Sequence, residues 1–460
     1  MRFLCIFLLL LVATPAAWAQ QFDLPPITED ASAAKAMPAL ATQVLAVYQD
    51  SDQDTYLDNL FRLQLVAGRY AEAIKTLLSL RQLRHSDAHT SSVSSIIRYL
   101  IYAKAKATQP ADQQAFDEAF KRSFRETFAT LDDISAARVI DSFGSKLDPY
   151  GPRLDEMQDD LHKALDQQKG HGSIALSDAL DLLHKYQVKQ AFESFQSLTD
   201  SLIAEDDQRR YLIQDDILVK TADGASIAVL LLRPHSTSIP LPTLMGFTIY
   251  ANPVWSMSEA RLTAAHGYAG VVGYTRGKGN SPDSPMPIEH DGADAATVID
   301  WICRQGWSDG RVGMYGGSYN GFTQWAAAKH LPPGLKAIMP SVTVAPGIDW
   351  PMEGNIFENF AYAWLPYTTT NKTLDQEHND DEAHWQNLNR AWYSSGEAYR
   401  AMDRLDGAPN PIFQRWLDHP GYDAYWQAMI PYKREFAAIN IPVPSLLRSN
   451  KAMLISLSAL

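Results

Sequence analysis

Cysteine is nearly missing from this chain: 460 residues hold two, Cys5 and Cys303. Cys5 falls in a segment expected to be removed, which leaves Cys303 without a partner and excludes a disulfide-stapled fold. Cys303 then reads as a small buried apolar side chain. Positive charge is also short, with 40 Lys+Arg against 53 Asp+Glu and a net charge of −13. A nucleic-acid backbone needs a basic surface, so nucleic acid is excluded as the main partner. No stretch after the N-terminus approaches the roughly 20 apolar residues that a membrane span needs. Metal-ligand spacings such as H-E-x-x-H or paired C-x-x-C are missing, and no metal or other cofactor is expected. Against these absences stands an ordinary globular balance, 46% hydrophobic and 20% charged. That excludes global disorder. The length suggests two or three domains at roughly 150–200 residues each.

The first residues read as an address. Arg2 is a short positive region, Phe3 to Ala13 is an apolar run, and Ala17-Trp18-Ala19 has the A-x-A form of a cleavage site. This is the layout of a secretory signal peptide over residues 1–19, with Gln20 as the expected mature N-terminus. The apolar run is too short for a span. The expectation is an exported protein, periplasmic or secreted.

The pattern changes near residue 210. Residues 20–210 read as an all-helical region, with apolar residues at three- and four-residue spacing from about residue 28. Leu63 to Ile74, broken at Gly68, looks like one helix-turn-helix unit of a tetratricopeptide repeat. No second copy follows at the repeat distance, so a helical bundle is the simpler reading. From residue 211 to 460 strands and helices alternate. Ile213 to Leu232 reads as a hairpin turning at Asp223-Gly224. Leu241–Tyr250, Tyr268–Tyr274, Val312–Gly316 and Leu335–Val344 read as strands, with helices over Ala293–Gln305 and Gly321–His330. Strands separated by helices imply an α/β fold with a mostly parallel sheet covered on both faces.

The segment Val312-Gly313-Met314-Tyr315-Gly316-Gly317-Ser318-Tyr319-Asn320-Gly321 runs strand, sharp turn, helix. A serine held there projects its hydroxyl above the carboxyl ends of the strands. The next N–H, of Tyr319, begins a helix and is placed to donate to a developing oxyanion. The common elbow is G-x-S-x-G, whereas here Asn320 holds the fifth position and glycine comes one later. From the residues alone, an ordinary strand-helix turn stays open beside a nucleophile at Ser318.

Gly316 to Trp325 resembles the G-x-S-Y-x-G-x-T-Q-W elbow of the cocaine esterase and X-prolyl dipeptidyl aminopeptidase group, the CocE/NonD hydrolases. Gly267-Tyr268-Ala269 with Arg276-Gly277-Lys278-Gly279-Asn280-Ser281 is similar to that family's G-Y-A…R-G-x-G-x-S segment. Asp291-Gly292, Asp300-Trp301 and Trp307-Ser308-Asp309-Gly310 match the approach to the elbow. Asp406 to Pro411 and Trp416 to Pro420 look like a helical cap, placed at about 345–435. The likeness covers residues 213 to 443. It implies an α/β-hydrolase fold, Ser318 as nucleophile, and an oxyanion hole made by the Tyr250 hydroxyl and the Tyr319 N–H. It also implies a small ester, amide or short peptide substrate, X-prolyl peptides included. Without the resemblance Tyr250 reads as a strand-end aromatic packed under the cap. Arg276-Gly277-Lys278-Gly279 lacks the Walker spacing and reads as a turn at a strand end.

A serine needs a base and the base needs an orienting carboxylate, in the chain order Ser, Asp, His. His330 lies 12 positions after Ser318 on one helix, roughly 18 Å away at 1.5 Å per residue and out of reach. His378 and His384 lie in an acidic stretch read as a solvated face, and His419 lies in a cap turn. Ile439 to Val443 resembles the entry into the strand that carries the family's Asp, yet no Asp, Glu or His follows Glu435. The expectation is a chain of this family without its triad Asp and His, as a shifted frame or early stop would produce. Two other readings therefore stand beside a serine hydrolase. One is a homologue without turnover, and the other is a helical interaction protein that works through residues 20–210. Oligomeric state is not legible.

Overall fold

The computed structural model describes residues 20–444, except 28–29, 85–90, 109–112, 146–147, 149–150, 236 and 238. The signal-peptide reading and the tail after Pro444 therefore lie outside the described residues. Two compact units divide the chain. One takes the residues up to Thr127 with Pro152–Leu198, and the other takes Phe128–Gly151 with the residues from Thr199 onward.

The elements before the main sheet are β1 (Gln21–Asp23), α1 (Asp30–Leu45), α2 (Gln53–Val66), α3 (Tyr70–Leu83), α4 (Ser91–Thr108), α5 (Gln113–Phe128), α6 (Asp133–Phe143), α7 (Leu154–Gln167), β2 (Ser173–Ala175) and α8 (Leu176–Arg210). In the first unit α2 and α3 form a tight hairpin. Gly68 turns it at φ 74°, a left-handed conformation that glycine adopts without strain. A buried bond of 2.8 Å from Thr76 to Gln64 ties the two helices. Met37, Leu40, Val44, Leu63, Leu161 and Leu182 build one core. A second rests on aromatic contacts such as Phe120 stacked on Phe195 at 5.3 Å.

The second unit is built on β3 (Tyr211–Lys220), β4 (Ser226–Pro234), β5 (Leu241–Thr248), β6 (Ala269–Tyr274), β7 (Ser308–Gly317) and β8 (Leu335–Ser341). Their order is β3-β4-β6-β5-β7-β8. β3, β4 and β6 pair antiparallel, and β6, β5, β7 and β8 pair parallel. Each parallel step crosses through a helix: α9 (Pro253–Ala265), α10 (Asp291–Cys303) and α11 (Tyr319–Lys329). This is an α/β-hydrolase sheet. Alternation along the strands sorts the core by face. Leu230, Leu232 and Val272 meet Ala260 and Ala264 of α9. Val229, Leu231, Val271 and Met314 meet Val298, Ile299 and Ala327 of α10 and α11. Cys303 is half-buried rather than enclosed, with its thiol 3.5 Å from the Gly310 carbonyl.

Charge pairs tie the end of α8 to the α6 segment and to α9. Arg210 bonds Asp206 at 2.7 Å, Asp133 at 2.5 Å and the Phe128 carbonyl at 2.6 Å. Arg261 of α9 grips Asp207 with two bonds of 2.7 and 2.8 Å, both partners buried. Breaking one side of such a pair leaves an uncompensated buried charge. Asp207→Ala is expected to lower unfolding stability by about 3–5 kcal/mol. Urea denaturation checks this, and a loss below about 1 kcal/mol, the range of an exposed pair, would show that Arg261 is solvated without Asp207.

Candidate active site

Ser318 joins β7 to α11 with φ 56° and ψ −123°. A non-glycine residue pays conformational strain there, so the surroundings must over-determine it. Its N–H donates to the carbonyls of Ser341 and Val342 at 3.0 and 3.1 Å, and its own carbonyl accepts from Gly321 and Phe322. The β7–β8 ladder thus continues through the turn into the first turn of α11. The side chain is exposed at the carboxyl end of the strands.

The glycines around it follow from space. A Cβ on Gly316 would stand 2.6 Å from the Asn320 Cβ. A Cβ on Gly321 would stand 2.4 Å from the Thr343 hydroxyl, and one on Gly317 would stand 2.9 Å from that of Ser341. The unusual spacing is explained by these contacts. Asn320 fits at the fifth position because Gly316 has no side chain, and glycine is needed one later, where α11 meets the chain leaving β8. Gln324, fully buried, donates to the carbonyls of Gly316 at 3.0 Å and Asn320 at 2.8 Å, on either side of Ser318. Thr323 anchors the helix to the Phe247 carbonyl at 2.8 Å.

Tyr319 turns its ring inward. Its hydroxyl donates to Asp291 at 2.6 Å and accepts the Ile288 N–H at 2.9 Å. Thr275 donates to the other Asp291 oxygen at 2.5 Å. Asp291 is the first residue of α10, where the helix dipole favours an anion. Burial nevertheless pushes its pKa up to about 7, against the pull of the Thr275 and Tyr319 hydroxyls. Burial and the neighbouring Asp291 charge hold the Tyr319 phenol well above its ordinary range. The residue that supplies the candidate oxyanion N–H is therefore pinned through its side chain.

Tyr250 follows β5, half-buried, with its ring edge-on to Tyr319 at 6.0 Å between centroids. The structure brings the rings of Tyr250 and Tyr319 together, and Tyr319 follows Ser318 directly in the chain. The Trp364 indole donates to the Tyr250 oxygen at 3.2 Å. An indole N–H cannot accept, so the phenol hydrogen is directed away from Trp364. Trp364 lies on α12 (Phe360–Thr369), in a cap that also holds α14 (Glu382–Ser395) and α16 (Pro411–Leu417), with α13 (Gln376–Asn379), α15 (Met402–Asp406) and α17 (Ala424–Gln427) as short turns. Trp350 meets Trp364 at 4.6 Å and Trp416 at 5.1 Å, so most cap aromatics pack the cap itself.

Among the described residues no side chain hydrogen-bonds the Ser318 hydroxyl. His330 closes α11 beside Gly292, and burial lowers its pKa. His419 pairs with Asp423 at 2.7 Å and stacks on Tyr425 at 4.1 Å. His384 is partly exposed rather than fully solvated. It stands 3.0 Å from Asp406, off the angle of a hydrogen bond, and packs against His378 and Trp385. Asp406 also accepts from Tyr362 at 2.7 Å. Asp291 and Gln324 lie inside the segments that resemble the family, but the resemblance assigns no role to either, and Trp364 carries no motif. The available signals were an Asp at a helix start, a Gln six residues past the serine, and a Trp in an apolar cap helix.

Residues 223–447 match the family model described as X-Pro dipeptidyl-peptidase (S15 family). The chain is 38% identical over 143 residues to cocaine esterase of Rhodococcus sp. (strain MB1 Bresler), which covers 29% of this chain and 24% of that protein. These matches set residues 223–447, just under half of the chain, beside the CocE/NonD-type hydrolases in sequence. An α-amino acid ester hydrolase structure aligns at 19% identity and TM-score 0.40, covering 51% of this chain and 42% of the other. A CocE/NonD family hydrolase from Staphylococcus aureus aligns at 20% identity and TM-score 0.36, covering 50% and 40%. The chain thus spans about a quarter of the length of its curated CocE/NonD relative.

The buried Asp291 makes the stability of the protein depend on pH. Its folded pKa is raised, so its contribution to stability is complete below about pH 4 and is lost as the pH rises through about 7. Asp291→Asn removes that titration. The variant is expected to gain stability relative to the parent between about pH 5 and pH 8, read from urea midpoints. A constant difference over that range would show that Asp291 does not ionise there.

Proposed function

We propose that the chain is a serine hydrolase that cleaves an ester or amide bond through an acyl-enzyme on Ser318. The observation that carries this reading is the strained, exposed Ser318 at the head of α11, held by ladder bonds on both sides. Ser318 attacks the substrate carbonyl. The Tyr319 N–H and the Tyr250 hydroxyl receive the oxyanion, collapse of the tetrahedral intermediate expels the alcohol or amine with the proton that Ser318 gives up, and water then releases the acid and restores Ser318. The cap aromatics above Tyr250 and Tyr319 suit a mostly apolar acyl group. The names of the relatives support ester, amide and X-prolyl peptide bonds as the substrate class. Export through residues 1–19 belongs to the same proposal, and mass spectrometry of the secreted chain is expected to find Gln20 at its start.

A second reading, a homologue of this fold without turnover, is favoured by the Ser318 hydroxyl, to which no described residue offers a base. A fluorophosphonate probe decides between the two. Labelling of the parent that disappears in Ser318→Ala is expected, and Tyr250→Phe is expected to slow it about 10²–10³-fold. No labelling of a folded parent would remove the hydrolase reading and leave the second.

A further inference from the structure

The Arg276-Gly277-Lys278-Gly279 turn after β6 holds a lysine with no access to solvent. The Lys278 ammonium donates to three backbone carbonyls of the cap: Thr368 at 2.6 Å, Asn371 at 2.7 Å and Thr373 at 2.8 Å. Those three bonds use all of its hydrogens. The exchange is mutual. Lys372 donates to the carbonyls of Gly277, at 3.0 Å, and of Asp283, and its own carbonyl accepts the Gly279 N–H at 2.9 Å. The cage lies at and just beyond the last turn of α12, where helix carbonyls lack partners and the dipole is negative. A cation there answers both. Lys372 and Asp375 are the charged groups that act on it. Burial first, and then Lys372, lower its pKa to about 7.

One turn earlier on α12 stands Trp364, whose carbonyl accepts the Thr368 hydroxyl at 2.8 Å and whose indole donates to Tyr250. We propose that Lys278 is a positioning residue: by clamping the last turn of α12 onto the turn after β6, it fixes Trp364 against Tyr250 and so orients the phenol. The consequence for the phenol rests on Tyr250 being an oxyanion donor; the clamp itself does not.

The test uses the full chain with Lys278→Ala, which removes three methylenes and the ammonium, the outline of n-propylammonium. Hydrogen exchange of residues 364–373 is expected to quicken roughly tenfold or more. Added n-propylammonium restores protection, whereas tetramethylammonium, with no N–H, does not. Fluorophosphonate labelling of Ser318 slows in the variant and recovers with n-propylammonium only. Unchanged exchange in a folded variant overturns the clamp, as does equal rescue by both ions. Fast exchange with an unaltered labelling rate overturns the link to Tyr250. If the parent never labels, yet exchange and rescue behave as stated, the clamp stands and the hydrolase reading falls. Should Lys278→Ala not fold, Lys278→Met keeps the stem without the charge and is read by the same exchange.

Discussion

The positive φ of Ser318 is the constraint on which the site depends. A side chain in that conformation is tolerated only where neighbouring bonds leave no alternative. Here the Ser318 N–H is held by β8 carbonyls, its carbonyl by the first turn of α11, and the residues two before and two after by one buried glutamine. The bare glycines at 316, 317 and 321 follow from the same crowding. The strain is thus carried by a ladder, a helix start and a side-chain staple, each useless without the others.

The same logic extends below the elbow. Tyr319 is both the neighbour of the serine and the acceptor of a deep anchor, because its ring reaches Asp291, Thr275 and the Ile288 N–H. Asp291 carries no cation of its own, whereas the adjacent Asp294 is gripped by Arg276 with bonds of 2.7 and 2.8 Å. Two aspartates three positions apart therefore do different work. One locks a turn by charge pairing, and the other holds a phenol by accepting hydroxyl bonds in a dry site. Burying a carboxylate with no cation beside it is costly, and placing it at the start of α10 offsets part of that cost.

Much of the second unit was legible in the sequence because its signals are local. The hairpin at Asp223-Gly224, the apolar strands and the helices read over 293–305 and 321–330 lie within a few residues of the structure's boundaries, whereas α9 escapes the sequence reading. A parallel sheet buried on both faces writes continuous apolar runs that do not depend on distant partners. The helical character of the first unit was legible for the same reason. The roles of particular side chains were less so. His384 sits in an acidic, polar stretch yet is drawn against Asp406 and Trp385 by the folding of the cap. Lys278 sits in a glycine-rich segment that reads as a turn at a strand end, yet it is buried by carbonyls some ninety residues away in the chain.

The sequence by itself determined most element types, the strand-elbow-helix at Ser318 and the resemblance of residues 213–443 to a hydrolase family, because spacing and small-residue crowding are properties of short segments. The tertiary structure alone decided what anchors Tyr319, what Trp364 donates to, which carbonyls receive Lys278 and where each histidine rests. Those are matters of which distant groups meet in a low-dielectric interior. Hydrogen bonding there is enforced by the loss of water rather than by any local pattern.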